Sequence, residues 1–373
     1  MSKIVLLGIA LPLQALLTTT KDTDYGSYQE DVDLDWDRQS YASTGGASLA
    51  SNITRYRYEN GRRYHAYRDG TYYAPNDEKN QSYETVVHHL WLLTLHDKLF
   101  LAPVQSPKRI LDVGSGTGLW AVDIADHFPD AEITATDLSP ILYTSAPPNL
   151  TFEIDDACSE WTYPPDHFDF IHIRGLTGCI RDWPYTYSQV FEHLAPGGWV
   201  EHLEFSIQTN ADPDSTKHAD QIMTGFSRSI IGVGDEKTGM TFRIVEQMKG
   251  LMEQAGLVDV VEEKFVWPIG AWPKDAHLKD LGRWGERNWA DGIEGWVMAL
   301  YTRLLGVSLD SFFFSSVLHC SVTEDKHGCS DTSAVDVRRS PGLCQGHPRC
   351  DQESQESFLP RSEVCLCTEA VPA

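Results

Sequence analysis

One short segment restricts the fold of this chain more than any other: an apolar strand that runs into three glycines and then into a helix. The segment reads Ile110-Leu-Asp-Val-Gly-Ser-Gly-Thr-Gly118. Alternating glycines permit tight turns and a close approach of the backbone to a ligand. The N–H groups at the start of the following helix suit a carboxylate or a phosphate. The segment therefore predicts a ligand-binding turn at the carboxyl end of a buried strand.

Short apolar strands alternate with helical patterns on both sides of this turn. Strands are predicted at 109–113, 132–136, 151–154, 168–173, 199–205 and 258–266, and helices at 83–100, 120–128, 221–231 and 242–253. Such alternation predicts an α/β fold with a doubly wound, Rossmann-like parallel sheet. Ligands of this architecture bind at the carboxyl ends of the strands.

Two cofactor classes compete for the glycine turn. The dinucleotide fingerprint G-x-G-x-x-G requires its third glycine at position 119, where this chain has Leu119. The chain instead reads Asp-x-Gly-x-Gly-x-Gly from Asp112, which is the pattern of class I S-adenosylmethionine-dependent methyltransferases. A nicotinamide-dependent oxidoreductase is the alternative, and Leu119 argues against it.

Acidic residues follow the next two strands. Asp137 ends the second strand, 19 residues after Gly118, where a carboxylate can accept both ribose hydroxyls. Asp156 follows the third strand and is expected to meet the adenine amino group, with Trp161 beside the ring. The alternatives are a helix cap at Asp137 and an ordinary surface acid at Asp156. The predicted cofactor residues are Asp112, Gly114, Gly116, Gly118, Asp137, Leu138, Asp156 and Ala157.

Several blocks resemble the LaeA-like methyltransferases of filamentous fungi. The blocks are 59–67 (ENGRRYHAY), 73–78 (YAPNDE), His88-His89, 111–120 (LDVGSGTGLW), Asp182-Trp183 and 194–201 (LAPGGWVE). The resemblance covers about residues 52–306. It implies S-adenosylmethionine as the cofactor and a class I methyltransferase sheet. It also implies a cap over the cofactor pocket, formed by the Tyr-rich segment, residues 56–73, and the His88-His89 helix.

Members of that family act on secondary metabolites, or regulate secondary metabolism and development from the nucleus. The resemblance thus implies a methyltransferase that acts on a small molecule in fungal secondary metabolism. The alternative is a regulator that binds S-adenosylmethionine and works through protein partners. The chain has 54 acidic and 30 basic residues, a net charge of −24, which disfavours direct binding to nucleic acid.

Transfer of a methyl group to oxygen or nitrogen can require a base. The candidates by residue type are His88, His89, His172, His202 and Glu204. Arg174 is predicted at the carboxyl end of the fourth strand, beside the expected acceptor. We rank His88 and Arg174 first as catalytic residues, and a structural polar role is the alternative for each. No metal site is predicted, because adjacent histidines do not share one face of a helix.

The two ends of the chain differ from the body. Residues 1–51 are predicted to be an extension with an acidic, flexible linker, and 52–306 the methyltransferase domain. The extension contains an apolar stretch, Ile4 to Leu17, that is too short for a stable membrane span. A targeting segment is the alternative. The cysteine-poor body favours a reducing compartment, the cytoplasm, with the nucleus as the alternative.

Residues 307–373 hold six of the eight cysteines and lack regular periodicity. We expect an atypical, Cys-rich and disordered tail there. The family closes its sheet with an antiparallel strand late in the chain, and no clear equivalent follows Gly306. The sequence therefore predicts a last strand that is missing or replaced.

Overall fold

A seven-stranded sheet forms the centre of the computed structural model, which describes residues 55–140, 146–210, 217–308 and 361–370. A separate antiparallel hairpin precedes it, made of β1 (Arg57–Glu59) and β2 (Arg62–Tyr64). The sheet strands are β3 (Arg109–Val113), β4 (Glu132–Asp137), β5 (Leu150–Ile154), β6 (Phe168–Arg174), β7 (Leu194–Asn210), β8 (Val258–Pro268) and β9 (Arg361–Ala370). Their spatial order is β5-β4-β3-β6-β7-β9-β8.

Six α-helices accompany the strands within the described ranges. They are α1 (Glu78–Thr94), α2 (Leu119–His127), α3 (Trp183–His193), α4 (Lys217–Thr238), α5 (Met248–Ala255) and α6 (Ala276–Ala299). Three of them begin at an aspartate whose side chain accepts an N–H of the first turn, which stabilises a helix start. These caps are Asp77 for α1, Asp182 for α3 and Asp275 for α6.

Apolar side chains cover both faces of the sheet. On β6, Ile171 and Ile173 pack with Trp183 of α3 and Met248 of α5. Phe170, which precedes Ile171 on the strand, packs on the other face with Ile124 of α2 and its neighbours. Because successive strand residues point to opposite faces, helices on both sides are needed to bury such a run. This arrangement confirms the predicted doubly wound fold.

The sheet is parallel from β5 through β7, and β9 runs antiparallel between β7 and β8. The prediction of a missing or replaced last strand is thus corrected, because residues 361–370 of the supposed disordered tail occupy that place. The acidic and cysteine residues interleaved with Val364 and Leu366 hide the strand in the sequence. The predicted extension and linker, 1–51, and residues 309–360 and 371–373 of the tail lie outside the described residues.

None of the helices in the described ranges has the length and apolar character needed to cross a bilayer.

Helix α6 was not predicted, and its glycines explain why. Gly282 and Gly285 sit directly on backbone at the end of β8: a Cβ on Gly285 would lie 2.2 Å from the carbonyl oxygen of Pro268. A Cβ on Gly282 would lie 2.0 Å from the carbonyl oxygen of Gly270. Glycine is therefore required at both positions for the helix to approach so closely, although it weakens the helical pattern.

We expect Gly285→Ala to lower the free energy of unfolding by roughly 1–3 kcal/mol, because the added carbon collides with rigid backbone. The matched control is Gly225→Ala within α4, where no described atom lies within 4 Å of the added Cβ. That change should raise stability by roughly 0.5–1 kcal/mol through helix propensity alone. Urea unfolding measures both, and a stabilised Gly285→Ala protein would contradict the packing described.

Candidate active site

A cavity of about 770 Å³ opens at the carboxyl ends of the central parallel strands. Pockets of roughly 300–1,000 Å³ are typical of small-molecule sites. Gly118 is not among its lining residues, and instead begins α2 in a left-handed conformation with φ 76°. The other predicted site residues all line the cavity: His88, Asp112, Gly114, Gly116, Asp137, Leu138, Asp156, Ala157 and Arg174.

The glycine turn between β3 and α2 has the backbone that its sequence predicts. Gly114 and Gly116 have φ angles of 71° and 58°, in the region that side chains rarely adopt. A Cβ on Gly116 would lie 2.7 Å from a carboxylate oxygen of Glu84, which reaches the turn from α1. The turn thus exposes backbone to the cavity, and it admits an acidic side chain from the helix above.

Asp137 joins the glycine turn to the end of β4. Its Oδ2 accepts the N–H of Gly116 at 2.9 Å, and its Oδ1 accepts the N–H of Ser139 at 2.8 Å. Burial raises the pKa of Asp137 to about 6, with the Asp112 charge a smaller contribution in the same direction. Each carboxylate oxygen retains a lone pair for a further donor such as a ribose hydroxyl.

Asp112 provides a second acceptor at the cavity wall. Its Oδ1 accepts a hydrogen bond from Nδ1 of His172 at 2.8 Å, while its Oδ2 has no partner among the described residues. Burial lowers the pKa of His172 to about 4, so the ring is neutral near pH 7. An orphaned buried carboxylate oxygen beside a glycine turn fits a ligand rich in donors, as S-adenosylmethionine is.

Asp156 is covered by the Tyr-rich segment. Its Oδ1 accepts the N–H of Cys158 at 2.9 Å, and its Oδ2 contacts the guanidinium of Arg68. Tyr72 and Tyr73 of the same segment line the cavity. The segment and α1 therefore cap the cavity, as the resemblance implied. Trp161, expected beside an adenine ring, is instead buried in the core near His193 and does not line the cavity.

His88 lies between a carboxylate and a guanidinium. Its Nε2 is 2.9 Å from Oδ2 of Asp123, and its Nδ1 accepts a hydrogen bond from Nη2 of Arg174 at 3.1 Å. Burial lowers the pKa of His88, with the Arg174 charge acting in the same direction. A ring whose two nitrogens are both engaged has no lone pair to offer an acceptor, so His88 fits a positioning role better than that of a base.

The other candidate bases lie away from the cavity. His89 packs against Trp284 at 4.2 Å between ring centroids. His172, on the central strand β6, is stacked on Trp120 at 3.5 Å between ring centroids. His202 and Glu204 are completely buried, and Nδ1 of His202 is 2.7 Å from the hydroxyl of Tyr187. These three histidines and Glu204 do not line the cavity, which favours their structural alternative.

Sequence reasoning missed several residues of the cavity wall. Glu84 lies one helical turn before His88 on α1, and this i, i+4 spacing was the signal that could have found it. Trp289 and Trp296 come from the unpredicted helix α6. Arg68 gave no local signal, because its partner Asp156 is remote in the sequence.

Comparison with known proteins identifies relatives of this chain. A family model described as a methyltransferase domain matches residues 87–263. The methyltransferase pytC of Aspergillus terreus is 38% identical over 299 residues, 79% of this chain and 90% of that protein. The secondary metabolism regulator LAE1 of Cochliobolus heterostrophus is 36% identical over 66% of this chain and 81% of its own. The protein-methionine methyltransferase laeA of Emericella nidulans is 30% identical, over 72% of each chain.

Glu201 is a buried acid whose pKa is affected by the charge of Arg174. The residue is fully buried on β7, and its Oε2 accepts the N–H groups of Leu101 and Ala102 at 2.8 and 2.7 Å. Burial raises the pKa of Glu201 to about 7, against the opposing effect of these bonds and of Arg174. Burial also lowers the pKa of Arg174 to about 10, which still leaves it charged at pH 7.

The raised pKa makes Glu201 a source of pH-dependent stability. A carboxyl with a reference pKa of about 4.3 when unfolded binds its proton more tightly in the folded state. Its stabilising contribution is complete below that value, and is lost as the pH rises through about 7, by up to about 1.4 kcal/mol per pH unit. Glu201→Gln should therefore gain stability relative to the wild type between pH 5 and 7.5.

Urea unfolding at pH 5, 6, 7 and 8 measures this difference. The control is Glu192→Gln, an exposed position on α3, which should follow the wild-type profile. Parallel profiles for wild type and Glu201→Gln would contradict the raised pKa.

Proposed function

The chain belongs to the LaeA-like family of S-adenosylmethionine-dependent methyltransferases, and from this premise we propose that its acceptor is a small molecule of fungal secondary metabolism. The observation that carries the proposal is the extension of the cavity beyond the glycine turn. There it is lined by an aromatic chamber of Tyr73, Phe226, Trp267, Trp289 and Trp296. Apolar walls with few polar groups suit a small, largely apolar acceptor.

The aromatic chamber is held in shape by its own contacts. Trp296 packs edge-on against Tyr83 at 5.8 Å and donates its indole N–H to the Tyr83 hydroxyl at 3.2 Å. Trp289 packs edge-on against Trp296 at 5.3 Å, and Phe226 of α4 lies 5.6 Å from Trp289. A preformed wall of this kind lowers the cost of ordering side chains around an acceptor.

The roles proposed for the cofactor-binding residues follow from their hydrogen-bonding oxygens and from their positions in the cavity. S-adenosylmethionine supplies a methyl group that its sulfonium sulfur has already activated. Asp137 would accept hydrogen bonds from the ribose hydroxyls, and Asp156, beneath Arg68, would accept one from the adenine amino group. Gly114 and Gly116 would allow the backbone to approach the cofactor closely, and Leu138 and Ala157 would flank its nucleoside. Gly118 acts indirectly by starting α2.

The reacting end of the cavity is organised around Arg174. Asp123 holds His88, and His88 in turn orients the guanidinium of Arg174 toward the cavity. Alignment of acceptor and donor contributes on the order of 7–11 kcal/mol in favourable cases. The rings of Tyr72 and Tyr73 can add roughly 0.5–2 kcal/mol by facing positive charge. Arg174 is thus the residue at the reacting end, and His88 positions it.

A regulator that works through protein partners is the second candidate. The relatives named as secondary metabolism regulators, and the one named a protein-methionine methyltransferase, favour it. For either function a reducing compartment, the cytoplasm or the nucleus, is supported by Cys158 and Cys179, which are free thiols in the described body.

Asp137→Asn should weaken binding of S-adenosylmethionine by roughly ten- to a hundredfold, since hydrogen bonds to a charged acceptor are worth about 1.5–3 kcal/mol. Isothermal titration calorimetry with the full chain measures the affinity. Asp130→Asn, at an exposed position after α2, is the control and should bind like the wild type. Tight binding of NAD without binding of S-adenosylmethionine would overturn the cofactor assignment.

A strain that carries Asp137→Ala at the native locus separates the two candidate functions. The enzyme predicts that one metabolite loses its methyl group while transcript levels stay unchanged. Comparative metabolite profiling and transcript measurement on the same cultures provide the readout. A broad loss of secondary-metabolism transcripts would favour the regulator instead.

A further inference from the structure

The acidic side chain that α1 inserts into the glycine turn has no role in the function described so far. Building on the proposed function, we propose that Glu84 binds the α-ammonium group at the amino-acid end of the cofactor. Arg174 lies at the same end of the cavity and is the cation available to the α-carboxylate. The two residues together match the zwitterionic end of the ligand.

The position of Glu84 is defined by two hydrogen bonds. Its Oε2 accepts the N–H of Thr117 at 2.9 Å, and its Oε1 accepts the amide N–H of Asn80 at 2.9 Å. The side chain lines the cavity while it touches the turn at Gly116. Each oxygen keeps a lone pair, so an ammonium group can be received without breaking either bond.

The order of the strands places Glu84 at the amino-acid end. Asp156 follows β5, Asp137 ends β4, the glycine turn follows β3, and Arg174 ends β6. Because the strands lie side by side in the order β5-β4-β3-β6, these groups form one row along the sheet edge. Adenine, ribose and the amino-acid end follow one another in the cofactor in the same order. The third part therefore falls beside Gly116, Glu84 and Arg174.

Helix α1 also helps to place the positive charge of Arg174 near Glu84. Glu84 and His88 are one turn apart on α1, and Nδ1 of His88 accepts the hydrogen bond from Arg174. The packing of α1 thus positions the Glu84 carboxylate directly and the Arg174 guanidinium through His88. Glu84 and Arg174 do not form an ion pair with each other among the described residues, so both charges are available to a ligand.

The electrostatics of the ligand-free site favour a cation. Burial and, to a smaller extent, the nearby Asp137 charge raise the pKa of Glu84 to about 7, against the opposing effects of the hydrogen bonds with Thr117 and of the Arg174 charge. A bound ammonium stabilises the ionised carboxylate and lowers that pKa. Binding near pH 7 should therefore release protons from Glu84.

Three ligands isolate the ammonium contact. S-adenosylhomocysteine carries the complete amino-acid end, its desamino analogue lacks only the α-amino group, and 5′-methylthioadenosine lacks the whole end. We expect Glu84→Gln to weaken S-adenosylhomocysteine binding by roughly ten- to a hundredfold, and to change the other two by less than about threefold. Calorimetry measures the affinities, and Glu286→Gln on the exposed face of α6 is the matched control.

Proton release supplies a readout that needs no variant. Calorimetry of the wild type in two buffers of different ionisation enthalpy should show more proton release with S-adenosylhomocysteine than with the desamino analogue. Both ligands share the ribose, so any contribution of Asp137 cancels. Glu84→Gln should abolish the difference between the two ligands.

The outcomes separate this inference from the proposed function. If the wild type binds none of the three ligands, the proposed function itself fails. The inference is overturned if Glu84→Gln weakens the binding of all three ligands equally. It is also overturned if the wild type releases the same number of protons with S-adenosylhomocysteine and with its desamino analogue. In either case Glu84 only supports the glycine turn.

Discussion

The hydrogen bond from the N–H of Gly116 to the carboxylate of Asp137 ties together the ends of two neighbouring strands, and the site is arranged around it. The N–H of Ser115 also bonds the carbonyl oxygen of Thr136, so the turn lies across the end of β4. This placement requires a positive φ at Gly116 and directs the next N–H, that of Thr117, toward the cap. The end of β4, the glycine turn and helix α1 of the cap thus meet at one point beside the cavity.

Helix α1 connects this turn to the reacting end. It contributes Glu84 to the glycine turn and His88 to Arg174, while Trp91 packs against Trp267 of β8 at 5.0 Å. Its two polar contacts hold the cap in register, and its apolar contact anchors it to the far side of the sheet. A displacement of α1 therefore alters the cofactor contacts and the orientation of Arg174 together.

The sequence was most informative where the signal is local. The strand before the glycine turn was predicted with its observed limits, Arg109–Val113, because a short apolar run is bounded by a charge and a glycine. Leu119 decided between cofactor classes for the same reason. Helix α6 was missed because its glycines weaken the helical pattern, although close packing on the backbone at the end of β8 requires them. The partners of His88 were equally invisible, since Asp123 and Arg174 come from two other elements.

The residues of β9 come from the stretch that the sequence predicts to be a disordered tail, yet they complete the sheet. Among the described strands, β7 and β8 are joined only through β9, which begins at Arg361, long after β8 ends at Pro268. During synthesis the hydrogen-bonding edge of β7 therefore remains uncovered until this strand has left the ribosome. Such pairings between distant segments form slowly, and open strand edges recruit other chains. Nascent chains paused before Arg361 would be natural clients for chaperones that shield unpaired β-strands.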